Sequence, residues 1–479
     1  MNSWIISSLK GQNILQIILG MILSLLLFTC FPTTLKAQKI AYRIYLRSKT
    51  NSLHDKDSSS YWLKHPEQYL SDRALKRRRV QQIRIDSTDL PISKSYLNQL
   101  STKGKILTKS KWLSTVVLLA NDSCNICSLT KIPFVERIQK VWEGETFPFI
   151  VSNTDTIPIQ IAETKKKKRY GYSEKQIKML NGIWLHQKGY QGQGMQIALL
   201  DEGFENANRI ALLNNIQILG TRNLVHPKTS VFTNHTHGTK VLSCIAAHTP
   251  NYMIGTAPQA AYWLIKTEMS CCEAPIEEDF WIAGAELADS VGVDVISSSL
   301  GYSIFDKEYD SYNTTALGKD SAFVSIGAQK AESKGILVIC SAGNEGNSEW
   351  KRITFPADAE TVFTVGSINE KKKASTFSSV GYVSPHKVKP NVVALGTLAT
   401  IIDYEGHIRR ASGTSYATPI LAGMATCLWQ AFPKAKPLDI RKAIETSSNR
   451  YHHPDKKRGY GIPNMHKAFK ILRKNADKQ

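Results

Sequence analysis

Four short segments hold residues whose chemistry can be combined. Asp201 ends the apolar run Gln196-Ile197-Ala198-Leu199-Leu200 and is followed by Glu202 and Gly203. His237 stands in His235-Thr236-His237-Gly238-Thr239-Lys240, at the head of a helix-like run reaching Ala247. Asn344 belongs to Ser341-Ala342-Gly343-Asn344-Glu345-Gly346, directly after another apolar run, and Ser415 to Gly413-Thr414-Ser415-Tyr416-Ala417-Thr418-Pro419, ahead of the apolar stretch Ile420 to Trp429. Each is weak alone, because carboxylates often end strands and a serine before a helix is usually a cap. Together they supply what an activated hydroxyl needs: a base, a group to orient that base, an amide NH2 for a developing oxyanion, and helix-start amides that favour negative charge. Acyl transfer is the chemistry they imply. His235 and His237 do not read as a metal pair, since residues two apart on a helix face different ways and no third ligand is obvious.

These groups need a frame that brings element ends together. From Tyr170 onward, apolar runs over 195–200, 261–266, 293–297, 335–340 and 362–365 alternate with helical patterns, which predicts an α/β fold: a doubly wound parallel sheet with helices on both faces. Ligands of such sheets meet the carboxyl ends of the strands, where the four segments lie. Residues 38–145 read as a smaller α+β unit, with strands over 40–46 and 112–119 and a basic helical stretch over 71–84. Its Lys76-Arg77-Arg78-Arg79 run reads as a solvated helix face. Residues 146–169, ending in Lys165-Lys166-Lys167-Lys168-Arg169, read as an exposed linker that is easily cut. In residues 1–37, Lys10 precedes an apolar run from Ile14 to Phe31 and then Leu35-Lys36-Ala37-Gln38. That pattern predicts an export signal removed near Ala37, leaving no stable membrane anchor; lipidation at Cys30 is the weaker reading, because Thr29 is bulkier than the small residue it calls for.

Composition narrows the function classes. With 479 residues, 42% hydrophobic and 21% charged, the chain is neither disordered nor a disulfide miniprotein. The net charge of +21 invites a nucleic-acid partner, but residues 38–169 hold 25 basic and 12 acidic side chains against 34 and 28 over residues 170–479. The excess is concentrated ahead of the larger unit, so no nucleic acid is expected. Cys244, Cys340 and Cys427 lie in apolar runs and read as small buried hydrophobes. Cys124 and Cys127 form a CxxC that fits a redox pair or a local disulfide, and vicinal Cys271 and Cys272 have no assignment.

The four segments, in the order Asp, His, Asn, Ser, resemble the subtilisin family of serine proteases over about residues 170 to 475. Ser299-Leu300-Gly301 is similar to the family's substrate-pairing strand, Lys389-Pro390-Asn391-Val392-Val393-Ala394 to a stretch before its nucleophile loop, and Gly459-Tyr460-Gly461 to its closing motif. Glu202, Lys240 and Leu395 depart from the pattern without removing a catalytic group. The resemblance implies a secreted endopeptidase with Asp201, His237 and Ser415 as triad and Asn344 at the oxyanion. It also implies a first pocket walled by Ser299-Leu300-Gly301 and Ser341-Ala342-Gly343 and shortened by Thr354, and a more distant pocket rimmed by Glu277 to Asp279 that favours Lys or Arg. The resemblance extends to exported Bacteroidetes-type members, which carry an N-terminal region like residues 38 to 143; in the wider family such a region implies a folding assistant and inhibitor, here the pro-region 38–145. Its positive charge is expected to face Glu277, Glu278, Asp279 and Glu345. The expected partners are a peptide or protein substrate and the chain's own pro-region, in a monomer. No cofactor is required, and a structural calcium ion is left open with no legible ligand set. The competing classes are a disabled protease fold acting as a binding protein and a basic nucleic-acid binder.

Overall fold

The computed structural model describes residues 39–50, 59–120, 126–145, 147, 168–319, 321–384 and 387–477. The expected export signal, Cys124 of the CxxC and nearly all of the basic linker lie outside the described residues. Among the described residues no helix is long and apolar enough to cross a membrane.

The N-terminal unit is built on β1 (Lys39–Leu46), α1 (Asp72–Gln81), α2 (Lys94–Ser101), β2 (Gly104–Ser110), β3 (Thr115–Ala120) and β4 (Val135–Gly144). Its strands form an antiparallel sheet in the order β2-β3-β1-β4. Period-two alternation gives the sheet two apolar faces. Ile44, Leu46, Val116 and Leu118 join Leu100 in the unit's own core. Ala41, Val117 and Leu119 turn the other way and pack, with Trp142 and Phe147, on Val225, Met269, Ile276 and Phe280 of the C-terminal unit. The strand expected from Trp112 begins at Thr115, because residues 111–114 form the turn out of β2. Trp112 sits in that turn, buried with Trp281 and Ile282 in a core of the C-terminal unit.

A further expectation fails for half of the basic run in α1. Ser71 caps this helix by accepting the Ala74 N–H. Lys76 and Arg79 are exposed, but Arg77 and Arg78 are only 6% and 2% exposed. Both bind Asp289, and Arg78 also binds Asp89 at 3.0 Å. Lys334 reaches back from the other unit to Asp86 at 3.1 Å and Asp89 at 2.9 Å. A run of like charge read alone looks solvated; here Asp289, more than 200 residues away, and nearby Asp89 take two of its arginines into a buried network.

The C-terminal unit contains β5 (Gln196–Asp201), β6 (Gln217–Asn223), α3 (His237–Ala246), β7 (Ala261–Lys266), α4 (Ile276–Val291), β8 (Val295–Ser298), α5 (Phe323–Ser333), β9 (Leu337–Ser341), β10 (Phe363–Ile368), β11 (Val392–Leu395) and α6 (Thr414–Ala431). The seven strands form one parallel sheet in the order β11-β10-β9-β8-β5-β7-β6. Ile197 and Leu199 face α3 and α6 in one core, whereas Ala198 and Leu200 face α4 and α5 in the other. Burial on both sides explains why these strands are continuous apolar runs. Cys244, Cys340 and Cys427 are fully buried free thiols. Cys271 and Cys272 are also free, their sulfurs 3.2 Å apart.

Candidate active site

Asp201 is the last residue of β5 and is fully buried. Its Oδ1 accepts the Glu202 N–H at 2.9 Å and faces His237 Nδ1 at 2.7 Å. His237 is the first residue of α3, and close backbone contact sets its position. The Gly238 N–H donates to Gly203 O at 2.9 Å, and a Cβ at Gly238 would lie 2.4 Å from that same oxygen. Only glycine lets the head of α3 approach the loop leaving β5 so closely. The imidazole keeps an exposed edge, its side chain being 24% accessible. Burial disfavours its cation, but the charge and hydrogen bond of Asp201, assisted by Glu202, outweigh that and raise its pKa to about 9.

Ser415 occupies the first turn of α6, which packs beside α3, and the His237 ring lies 6.2 Å from that of Tyr416. The Ser415 hydroxyl donates to Ser299 O at 3.4 Å, and Ser299 Oγ donates to Ser415 O at 2.9 Å. Among the described residues no hydrogen bond joins His237 to Ser415. Asn344, just beyond β9, accepts the Thr414 N–H at 2.9 Å and the Thr414 hydroxyl at 3.0 Å on its Oδ1. Two donors on the oxygen fix the amide's orientation and leave its NH2 as the available end. Asp201 and Asn344 thus lie at the carboxyl ends of β5 and β9, the two neighbours of β8, and His237 and Ser415 at the heads of two helices packed together.

Ser299-Leu300-Gly301 and Ser341-Ala342-Gly343 leave adjacent strands β8 and β9, and Thr354 lies between them. A Cβ at Gly301 would be 2.1 Å from Thr354 Oγ1, and one at Gly343 would be 3.0 Å from it. Thr354 is 3% exposed and its Oγ1 has no partner.

The acidic segment departs from expectation. Glu277, Glu278 and Asp279 are 0%, 2% and 4% exposed, so they form no open rim here. Glu277 turns inward to accept the N–H groups of Met269 at 2.7 Å and Ala274 at 3.0 Å, fastening the loop ahead of α4. Asp279 and Glu278 face Arg43 of the N-terminal unit. Glu345 makes no ion pair with that unit among the described residues. Sequence reasoning missed Arg43 and Asp289 altogether, because a single charge in an alternating strand or helix carries no sign of its partner. It did flag Glu202, whose Oε2 meets His235 Nδ1 at 3.3 Å.

Two groups of side chains have metal-ligand types. The ligand atoms of Glu268, Glu273 and Glu277, and those of Asp403, Glu405 and His407, lie within 4.8 Å of one another. Burial raises Glu268 to about 8, which makes the first group a proton-holding cluster near neutrality. Asp403 Oδ1 already closes a turn by accepting the N–H groups of Glu405 and His407.

Residues 192–461 match the family model described as the subtilase family, and residues 48–153 match the peptidase S8 propeptide domain of Bacteroidota. The chain belongs to the subtilase family. Its relatives include subtilisin NAT of Bacillus subtilis subsp. natto, 29% identical over 275 residues that cover 57% of this chain and 65% of that protein. Subtilisin of Bacillus pumilus is 28% identical over 275 residues, covering 57% and 90%. The match thus spans just under two thirds of the length of subtilisin NAT. A solved structure, that of the prenylagaramide maturation protease PagA, covers 61% of this chain and 98% of its own at 20% identity, with a TM-score of 0.48. The N-terminal unit of this subtilase corresponds to the propeptide domain, and its contacts on α4 and α5 are contacts between propeptide and peptidase domains.

Proposed function

We propose that this subtilase is the self-inhibited precursor of an exported serine endopeptidase, its signal removed near Ala37. Ser415 Oγ attacks the substrate carbonyl as His237 takes its proton; the same proton passes to the leaving amine as the C–N bond breaks, and water then releases the acyl group by the reverse relay. Asp201 holds the imidazole's tautomer and stabilises its cation. The Asn344 NH2 and the Ser415 N–H receive the oxyanion. The observation that carries this reading is the 2.7 Å contact of His237 with Asp201, at the head of the helix that packs beside the Ser415 helix. The missing His237–Ser415 hydrogen bond fits a site that tightens only around substrate. The active enzyme is a monomer, and its chemistry needs no metal.

Ser415→Ala should abolish hydrolysis, on the order of a 10⁶ loss in turnover as reported for subtilisin itself, and leave the precursor uncut. Processing that continues in the variant would assign the cut to another protease. Thr354, wedged between both walls of the first pocket, favours small to medium apolar residues before the scissile bond. Thr354→Gly should admit Phe and Tyr when a peptide library is profiled, and an unchanged profile would remove Thr354 from the pocket.

A further inference from the structure

The propeptide leaves behind a shaped receptor. Arg43 is 1% exposed, and its Nε and Nη2 donate to both oxygens of Asp279 at 2.6 to 3.0 Å. Nη2 also donates to Pro275 O at 3.1 Å, and Glu278 Oε2 lies 3.8 Å away. The flat face of the guanidinium stacks on Phe323, with Cζ 3.5 Å from the ring centroid. A planar fork met by a two-oxygen acceptor, a carbonyl and an aromatic face is a site for arginine; a lysine ammonium cannot match that geometry.

The walls of this site belong to the peptidase domain, and Glu278 has partners there besides Arg43. Glu278 Oε1 accepts the Tyr312 hydroxyl at 2.8 Å and the Val324 N–H at 3.3 Å. Phe323 and Val324 open α5, while Pro275 and Asp279 sit in the first turn of α4, so two helix starts fix the receptor. When the propeptide departs, two adjacent carboxylates lose the cation that neutralises them while their acceptors stay in place. Such a site favours refilling over relaxation, because unpaired carboxylates in a recess are costly.

We propose that in the matured enzyme the Pro275–Glu278–Asp279–Phe323 recess is an exosite that takes an arginine side chain of a protein substrate, outside the scissile-bond pocket. This rests on the endopeptidase reading above. Binding there lowers KM for arginine-bearing proteins without touching the reacting bond.

The test uses enzyme matured from the full chain. Asp279→Asn is made together with Arg43→Met, so that the precursor holds no unpaired buried guanidinium; after maturation the enzyme differs only at position 279. The probe is unfolded casein, with its arginines either free or blocked by a dicarbonyl reagent, and with lysine acetylation as a separate arm. For the wild type, arginine blocking should lower kcat/KM about tenfold, mainly through KM, and lysine acetylation should leave it within about twofold. In the Asp279→Asn enzyme the arginine effect should shrink to near one. An arginine effect of equal size in both enzymes, none in either, or an equal effect of lysine acetylation would overturn the exosite. A wild-type enzyme that cleaves neither casein nor a short chromogenic peptide would instead overturn the endopeptidase reading, and the exosite with it.

Discussion

Two zones of the contact between propeptide and peptidase domain are built on opposite principles. Across the sheet face, Ala41, Val117, Leu119, Trp142 and Phe147 pack on Val225, Met269, Ile276 and Phe280, a contact whose strength follows the apolar area removed from water. At α1 the contact is a buried network in which Arg77 and Arg78 share Asp289, and Lys334 and Arg78 share Asp89. The apolar zone tolerates loss of any one methyl group. The ionic zone contributes little net energy over an apolar equivalent, yet it fails badly when a single partner goes, because the other charge stays buried. One zone holds the propeptide; the other makes its seating specific.

The largest effect should follow Asp289→Ala, which leaves buried Arg77 without its carboxylate and Arg78 with Asp89 alone. The full chain carrying Ser415→Ala, which stays uncut, should lose about 3 to 5 kcal/mol in urea unfolding on this substitution. Replacing Arg77, Arg78 and Asp289 together by apolar residues should recover most of it. Failure of that recovery would mean the network supplies net stability. In the other zone, Leu119→Ala should cost about 2 to 3 kcal/mol in the same assay, with no comparable rescue by a second substitution.

A smaller effect depends on pH. Burial raises Glu278 to about 7 against the pull of Arg43, and burial likewise raises Asp279 and Glu286. Relative to the unfolded chain these groups hold their protons on folding, so their contribution is complete at low pH and is lost as pH rises through about 7. Asp86 and Asp89 act in the opposite sense. Burial opposes their charge, but Thr88 and Lys334 lower the first to about 2, and Arg78 and Lys334 lower the second, so their contribution fails only in acid below about pH 4. The uncut Ser415→Ala chain should therefore be less stable to urea at about pH 8 than at about pH 5. Stability that rises across this window would contradict the assignment of the buried carboxylates.

The parts of this molecule that were legible in the sequence are those written locally. Continuous apolar runs marked β5, β7 and β9, because strands buried on both faces need no polar side. Asp201, His237, Asn344 and Ser415 each stood just after or ahead of an apolar run and so read as element ends, whereas the close approach of Gly238 to Gly203 was not legible there. What could not be read is pairing across the two units. Lys76 to Arg79 looked solvated because Asp289 is invisible from α1, and Glu277 to Asp279 looked exposed because Arg43 is one charge in an apolar strand. Trp112 was read into a strand although it plugs a core belonging to the other unit.

The proposed activation of Ser415 by Asp201 and His237 can be read by covalent labelling with a fluorophosphonate. On the matured enzyme, intact mass and peptide mapping should find one adduct, on Ser415. Its rate of formation should rise with pH toward a midpoint near 9, where the raised imidazole becomes the free base, above the pH 6 to 7 of an ordinary histidine. His237→Ala should remove that dependence and nearly all of the rate. An adduct on another residue, or a folded wild-type enzyme that takes no label across this range, would contradict it.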